Sequence, residues 1–288
     1  MKAYDFIIEK QVQWALNKGI NLIGSKGERG KPIYTEKLEQ NLFEPLRLEV
    51  VEFFNKGKGG ELDGEPCKMQ AVHSSSALAV NIFQYWMDNP SEIAVACELC
   101  EVNSKICQKI VFEGIFPIGK NFGTPPHIDV VIYNSDNFHI KLFAIEIKFT
   151  EPYHSKWNIN SKSHFSPQYF KNKDIWDEMS NLFELAKDIN SQKKIFKYLN
   201  ATQLIKHILG LKNKIGEKQN FRLLYLWYDA FGEEEKKHRE ELEEFAKIAK
   251  KDGIKFHSMT VQELIIKLAK RYRKEHLEYI KYLTERYL

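Results

Sequence analysis

Three polar residues interrupt two apolar segments in the middle of the sequence. Asp129 lies in HIDVVIY, and Glu146 and Lys148 lie in KLFAIEIKF. Both segments have the composition of β-strands, in which successive side chains alternate between the two faces. Glu146 and Lys148 therefore share a face. Charged groups in a buried sheet cost free energy unless they are paired or bind a metal, so their presence indicates a functional site.

These residue types suit one kind of chemistry. If the two strands are neighbours in a hairpin, Asp129 and Glu146 come within reach of a single metal ion. Carboxylates, waters and a phosphate oxygen are the ligands of Mg²⁺, and we expect Mn²⁺ to substitute for it. The Lys148 ammonium can orient a water or stabilise charge at the phosphate. Together these groups are equipped for phosphodiester hydrolysis.

A structural interpretation competes with this one. Glu146 and Lys148 can form an ion pair on a solvent-facing side of the sheet, and Asp129 can be an ordinary residue at a strand start. For Glu-x-Lys alone the structural interpretation is preferred, because the tripeptide is common. The upstream Asp129, inside an apolar strand that follows Pro125 and Pro126, favours a functional site.

The two segments also resemble a known family. PPHID followed by AIEIK is similar to the motif of the PD-(D/E)XK nuclease superfamily, which includes many restriction endonucleases, although Ile128 rather than Pro precedes Asp129. The resemblance implies that Asp129 and Glu146 are metal ligands and that Lys148 is the catalytic lysine. It also implies a core of a helix, three strands, a helix and a strand, and an endonuclease that acts on double-stranded DNA.

Many members of that superfamily add an acidic or amide residue to the centre. Glu113 in KIVFEGIF is the first candidate for a further catalytic residue, although Gly114 hints at a bulge that would re-aim it. Asn81 in SSSALAVNIFQYW and Gln203 in QLIKHILGL are candidates for substrate binding, with an exposed helix residue as the competing interpretation of each. Glu61 in GGELDGEP is a looser candidate.

The order of predicted elements favours a mixed α/β fold, a central sheet flanked by helices. After an N-terminal helix, helices are predicted at 35–54, 73–86, 201–211, 233–251 and from 261 to near the end. Strands are predicted at 109–118, 127–133, 141–149, 221–228 and in the short segment IKFHSM. We expect one nuclease domain over 1–288, with a helical addition at 1–72, the catalytic core at 73–228 and a helix–strand–helix unit at 229–288.

Composition and charge set broader limits. The 288 residues are 43% hydrophobic and 28% charged with a net charge of +4, which permits a nucleic acid as partner without requiring one. No apolar run reaches membrane-spanning or signal-peptide length, so we expect a cytoplasmic protein with reduced cysteines. Cys97 and Cys100 form a C-x-x-C, but AVACELCEV alternates as a packed helix does, and we expect buried thiols rather than zinc.

Three classes of function stay open at this point. The first is the nuclease, for which cutting both strands at a symmetric site would favour a twofold dimer. The second is a catalytically silent module that binds nucleic acid and keeps the nuclease fold. The third is a scaffold whose carboxylates only form salt bridges. The presence of Asp129, Glu146 and Lys148 together favours the first.

The segment at 151–173 directly follows the proposed catalytic strand. It combines lysines with aromatic residues and reads as a long irregular stretch, and such stretches in compact domains are often functional. We expect Lys156, Lys162, Lys171 and Lys173 to contact phosphates, with Trp157 or Tyr153 against bases or sugars. The competing interpretation is a packed surface loop whose aromatic side chains cover the core.

Replacing Lys156, Lys162, Lys171 and Lys173 together with Ala should flatten the salt dependence of DNA binding. Each phosphate contact releases counterions when DNA binds, so a protein with fewer contacts releases fewer of them. The slope of log K against log salt should fall by up to about four. Titrations at several salt concentrations measure it, and the melting temperature should stay nearly unchanged. An unaltered slope would remove this segment from the interface.

Overall fold

The fold is taken from a computed structural model that describes residues 1–25, 30–57, 59–154 and 164–288. Ten α-helices are found in these ranges: α1 (Ala3–Asn17), α2 (Leu48–Lys56), α3 (Ser75–Phe83), α4 (Pro90–Ala96), α5 (Pro167–Lys171), α6 (Ser180–Asn190), α7 (Ala201–Ile215), α8 (Glu233–Lys251), α9 (Val261–Tyr272) and α10 (Leu277–Tyr287). The strands are β1 (Leu22–Gly24), β2 (Pro32–Thr35), β3 (Cys107–Ile115), β4 (His127–Asn134), β5 (Leu142–Lys148), β6 (Phe221–Trp227) and β7 (Phe256–Thr260).

The centre of the fold is a five-stranded mixed sheet. Its strand order is β3-β4-β5-β6-β7, with β1 and β2 forming a separate small hairpin. The first three strands of the large sheet are antiparallel, and β5, β6 and β7 are parallel. Every residue of β5 is buried, because this strand has a neighbour on each side and helices over each face. The mixed α/β fold predicted from the sequence is confirmed.

Helices cover both faces of the sheet. One apolar cluster joins Phe112, Val130 and Ile145 of the sheet to side chains of α1, α3, α4, α9 and α10. The other joins Val131, Ala144 and further sheet residues to α6, α7 and α8. Adjacent residues of each strand thus enter different cores, as the alternation of strand side chains requires. The charged residues of β5, Glu146 and Lys148, are buried within this packing.

Helix α7 has defined ends and packs closely against the residue that follows β3. The Asn200 side chain accepts a hydrogen bond from the Gln203 backbone and so begins the helix, and Gly216, with φ 87°, ends it. A Cβ atom at Gly210 would lie 2.3 Å from the Phe116 carbonyl oxygen, so only glycine permits this approach. The close approach sets where the side chains of α7 meet the strands.

Arg286 ties the two ends of the chain together. It is 1% exposed, and its guanidinium donates to the carbonyl oxygens of Asn41 and Val72 and to the side-chain oxygens of Asn41 and Gln11. The same group lies 4.0 Å from the centroid of the Trp14 ring. These contacts fasten α10 to α1 and to the segment before α2. The division into 1–72, 73–228 and 229–288 stays a prediction.

Some predicted elements are wrong in their boundaries. The helix expected at 35–54 is instead the end of β2, a 3₁₀ turn at Leu38–Asn41 and α2, because Pro45 lacks an N–H and disfavours the helical conformation before it. The single helix expected after 261 is two, α9 and α10. The helix α6, within a stretch that carried no prediction, and the β1–β2 hairpin were not predicted.

The cysteines also depart in part from expectation. Helix α4 ends at Ala96, and Glu98 has φ 58°, so the predicted helix does not continue through Cys100. Cys67, Cys97 and Cys107 are buried free thiols, and Cys100 is half-buried. None of the helices in the described ranges combines the length and apolar composition that a membrane crossing requires.

Arg286→Met should lower the free energy of unfolding by about 3 kcal/mol or more, because it leaves several buried oxygens without a donor. Urea denaturation measures the change. The control is Lys18→Ala, which removes only the half-exposed ion pair between Lys18 and Glu285, the neighbour of Arg286 on α10. This control should lower the free energy of unfolding by at most about 1 kcal/mol. Equal losses in the two variants would contradict the role given to Arg286.

Candidate active site

Three carboxylates lie in one row across three neighbouring strands. On β3 and β4 the pairs Phe112–Val130 and Gly114–Ile128 place Glu113 opposite Asp129. On β4 and β5 the last ladder pair is Val130–Ile145, so Asp129 and Glu146 occupy the next opposed positions. The hairpin assumed from the sequence is present, and the row Glu113, Asp129, Glu146 follows from its register.

Asp129 stands where the β4–β5 ladder ends. Its Oδ2 atom accepts a hydrogen bond of 2.6 Å from the backbone N–H of Ile147. The carboxylate therefore takes the place that a main-chain carbonyl would have in a continued ladder. This bond holds the side chain of Asp129 against β5, next to Glu146, while the side chain stays partly accessible.

Glu146 is enclosed by protein groups. Its side chain is 1% exposed, and its Oε1 atom accepts a 2.5 Å hydrogen bond from Nζ of Lys148, which is 8% exposed. Its Oε2 atom lies 3.4 Å from Nδ1 of His207 on α7. In parallel register Glu146 also faces Tyr225 of β6, whose hydroxyl bonds His238 of α8. The solvent-facing ion pair considered for Glu146 and Lys148 is therefore wrong, because helices cover this face.

Glu113 reaches the same region by an unusual backbone conformation. Its φ is 52°, and the strand register does not shift there, so the predicted bulge is absent. Gly114 follows because a Cβ atom at that position would lie 2.6 Å from Cγ2 of Val131. The Glu113 Oε2 atom is 3.5 Å from Nδ1 of His127, the first residue of β4. Positive φ is rare in a residue with a side chain and marks strain kept at a particular site.

Burial and repulsion by neighbouring carboxylates raise the pKa values of the three carboxyl groups in the row. Burial and then the charge of Glu146 raise the pKa of Asp129. Burial and then Asp129 raise the pKa of Glu113 to about 8. Burial also raises the pKa of Glu146, and Lys148 offsets part of this rise. Burial alone would lower the pKa of Lys148, but the charges of Glu146 and Asp129 raise it, so the lysine stays an ammonium.

The residues fit a hard divalent cation. Glu146 Oε2 is a buried oxygen without a hydrogen-bond partner in the described ranges, and repulsion in the row would be relieved by positive charge. Within the described residues no group of three or more His, Cys, Asp or Glu side chains is arranged so that it could hold a metal ion. Mg²⁺ does not require such a group, since it is held by one or two carboxylates together with waters and substrate phosphates.

A cleft of about 330 Å³ contains two more acidic residues, Glu61 and Glu151. The Glu61 charge raises the pKa of Glu113, and the Glu151 charge raises that of Asp129, so the cleft and the row are electrostatically one region. Glu151 Oε2 accepts a hydrogen bond from the Phe149 backbone. The remaining lining residues are Tyr4, Tyr34, Lys68, Ala71, His73, Ser74, Ser75, Thr150 and His154.

The structure does not bring all the other predicted site residues to the row. Asn81 is 2% exposed, accepts from the Phe43 backbone and donates to Asn41 and Tyr287, so its amide is occupied on the opposite face of the sheet. We therefore remove it from the site. Gln203 is half-buried one helical turn before His207. Lys171 is exposed on α5, and Lys156 and Lys162 lie outside the described residues.

His207, Glu151 and Tyr225 are the residues near the row that sequence reasoning missed. A lone histidine on an apolar helix gives no signal of what it faces, since that depends on how α7 packs on β5. Glu151 carried a weak signal, because it is an acidic residue three positions after Lys148.

Comparison with known proteins identifies the family of this chain. A family model described as "Restriction Endonuclease associating with ARP" matches residues 9–288. The fold and this match place the chain among the restriction-endonuclease-like proteins. Within that class, the chain belongs to the family of restriction endonucleases associating with ARP. Comparisons with curated proteins and with solved structures found no match.

Glu113→Gln should flatten the pH dependence of stability in EDTA. A pKa raised from 4.5 to about 8 in the folded state stabilises the protein fully below pH 4.5, and this contribution is lost as the pH rises to 8. Between pH 5 and 8 the free energy of unfolding of wild type should fall by on the order of 1–3 kcal/mol more than that of the variant. Urea denaturation at both pH values tests this, with the exposed Glu240→Gln as control. A slope for Glu113→Gln equal to that of wild type would contradict it.

Proposed function

We propose that this protein is a Mg²⁺-dependent endonuclease that hydrolyses phosphodiester bonds of double-stranded DNA. The observation that carries the proposal is the row of Glu113, Asp129 and Glu146 across three strands, with Lys148 beside it. Membership of a restriction-endonuclease family supports a nuclease that acts on DNA. The assignment to the PD-(D/E)XK group rests on Asp129, Glu146 and Lys148, which match its motif in residue type and in order.

In this proposal Asp129 and Glu146 hold the metal ion. The ion would polarise the phosphate and lower the pKa of a bound water, so that a nucleophile forms at neutral pH. Asp129 is held in place by the N–H of Ile147, and Glu146 by its neighbours, so both carboxylates are positioned before substrate arrives. Such preorganisation lowers the cost of reaching the transition state.

Lys148 acts as a cation rather than as a base. Its pKa is raised by the carboxylates around it, so it keeps its proton at neutral pH. Its ammonium can donate to a phosphate oxygen and stabilise the negative charge that develops there. Glu113 has the complementary property, since a carboxyl group with a pKa near neutrality can accept a proton from an attacking water at Oε2.

The nucleic acid approaches, in this proposal, through the cleft of Glu61 and Glu151. The cleft carries the exposed Lys68 and the aromatic rings of Tyr4 and Tyr34 beside the carboxylate row. An ammonium can pair with a phosphate, and aromatic rings can lie against sugars or bases. Helices cover both faces of the sheet, and in this proposal the cleft is the opening through which substrate reaches the row.

Three substitutions test the proposed centre. Asp129→Asn and Glu146→Gln keep side-chain shape and remove a metal ligand, so cleavage of plasmid DNA in Mg²⁺ or Mn²⁺ should fall to the level seen in EDTA. Lys148→Ala should lower the rate at least about a hundredfold. Asp129→Asn should bind DNA as well as wild type or better, because one negative charge is lost.

The matched control is Asp136→Asn, an exposed carboxylate in the turn between β4 and β5, which should cleave as wild type does. Equal metal-dependent cleavage by wild type and Asp129→Asn would show that the proposed centre is wrong. DNA binding by wild type without any cleavage would instead support a silent binding module.

A further inference from the structure

Three of the four cysteines lie close together, at the end of β3 that is remote from the carboxylate row. Cys97 and Cys100 follow α4, and Cys107 is the first residue of β3. Glu113 is six residues further along the same strand, which corresponds to about 20 Å. This cysteine cluster is therefore separate from the proposed centre.

The chain between α4 and β3 brings two of these thiols into contact. It turns at Glu98 and again at Asn103, which have φ 58° and 68°. The side chain of Cys100 is thereby hydrogen bonded to that of Cys107. Their sulfur atoms are the nearest pair in the cluster that a covalent bond could join.

The backbone on both sides of this contact is anchored. Arg222 of β6 donates a 2.6 Å hydrogen bond from Nη1 to the carbonyl oxygen of Leu99, the residue before Cys100. The backbone N–H of Cys107 donates to Oγ of Ser91 on α4, at 3.2 Å. The two thiols therefore meet because their backbones are held, and a bond between them needs little rearrangement.

The two thiols differ in how readily they ionise. Hydrogen bonds from Cys107 and Ser104, and then the charges of Arg222 and Arg271, lower the pKa of the Cys100 thiol. The bond with Cys100 and burial raise the pKa of Cys107, which keeps its proton. Arg222 Nε is buried without a hydrogen-bond partner in the described ranges, so a nearby anion would stabilise it. Cys100 is also only half-buried, so it is the thiol that a small oxidant reaches.

This pairing differs from the one that the C-x-x-C of Cys97 and Cys100 would predict. Cys97 is 0% exposed, and burial raises its pKa. Its carbonyl oxygen lies 3.2 Å from Nε2 of His257, which leaves that ring nitrogen occupied. In the described ranges no cysteines and histidines are arranged to hold a metal ion, so the chemistry left to this cluster is that of thiols.

We propose that Cys100 and Cys107 are a modification site for hydrogen peroxide, which oxidises Cys100 before Cys107 closes a disulfide with it. The Cys100 thiolate attacks one peroxide oxygen and the O–O bond breaks. The departing hydroxide takes up the proton that Cys100 released, so a sulfenic acid and water form. The Cys107 sulfur then attacks the Cys100 sulfur, the S–O bond breaks, and hydroxide leaves with the Cys107 proton as water. Two thiols lose two electrons, and the peroxide gains them.

Peptide mapping of the oxidised wild-type protein tests the pairing. Reduced protein is freed of reductant, treated with one equivalent of hydrogen peroxide, and blocked with N-ethylmaleimide in denaturant. We expect the number of blocked cysteines to fall from four to two, and to return to four after dithiothreitol. Glutamyl endopeptidase cuts after Glu98 and Glu101, so it separates Cys100 from Cys97 and Cys107. The peptide of Cys100 should be linked to that of Cys107.

Serine variants test the order of the steps. Cys100→Ser and Cys107→Ser should both lose the cross-link, and Cys107→Ser should keep a sulfenic acid at Cys100 that dimedone traps. Cys97→Ser should form the cross-link as wild type does. The matched control is Cys67→Ser, which removes a buried free thiol outside the cluster and should also leave the cross-link unchanged.

Three results on wild type would overturn the inference, whatever the variants do. These are a disulfide between Cys97 and Cys100, a disulfide between two chains, and four unreacted thiols after excess peroxide. None of them bears on metal-dependent cleavage, because the carboxylate row contains no cysteine.

Discussion

The repulsion between carboxyl groups held in one partly buried row is the constraint on which the site depends. The register that pairs Val130 with Ile145 places Asp129 opposite Glu146 on the neighbouring strand. Glu113 adds a third carboxyl group across β3, with a backbone conformation that is itself unfavourable. Lys148 offsets one of these charges. The folded protein therefore stores unfavourable electrostatic energy at a place where a divalent cation would lower it.

Helix packing decides which side of that row is accessible. Helices α6, α7 and α8 bury the face that carries Glu146, and His207 contacts the carboxylate from within. The N-terminal segments reach the opposite side of the region through Glu61 and Tyr4 in the cleft. Arg286 fastens those segments to α10. The terminal parts of the chain therefore contribute to the shape of the approach to the row as well as to stability.

What the sequence predicted and what it missed follow from the range of the interactions involved. The alternation in KLFAIEIKF and the antiparallel neighbour HIDVVIY are local, so the sequence could predict that Asp129, Glu146 and Lys148 are neighbours in space. Helix α8 was likewise predicted with both its ends. Asn81 was misplaced because its amide is used by Asn41 and Tyr287, partners 40 and 206 residues away. His207 could not be recognised, since only the packing of α7 brings it to Glu146.

The spacing of Glu146 and Lys148 has a physical reason within the proposed mechanism. Residues two apart on a strand lie about 6.6 Å from each other on one face, a span that a lysine side chain bridges when it folds back to the carboxylate. Without metal, the ammonium occupies Oε1 and keeps the buried charge of Glu146 paired. In the proposed mechanism Glu146 would help to hold a metal ion, and the Lys148 ammonium would then be available to donate to a phosphate oxygen. The same carboxylate would thus serve both as a metal ligand and as the partner that keeps Lys148 charged and in place.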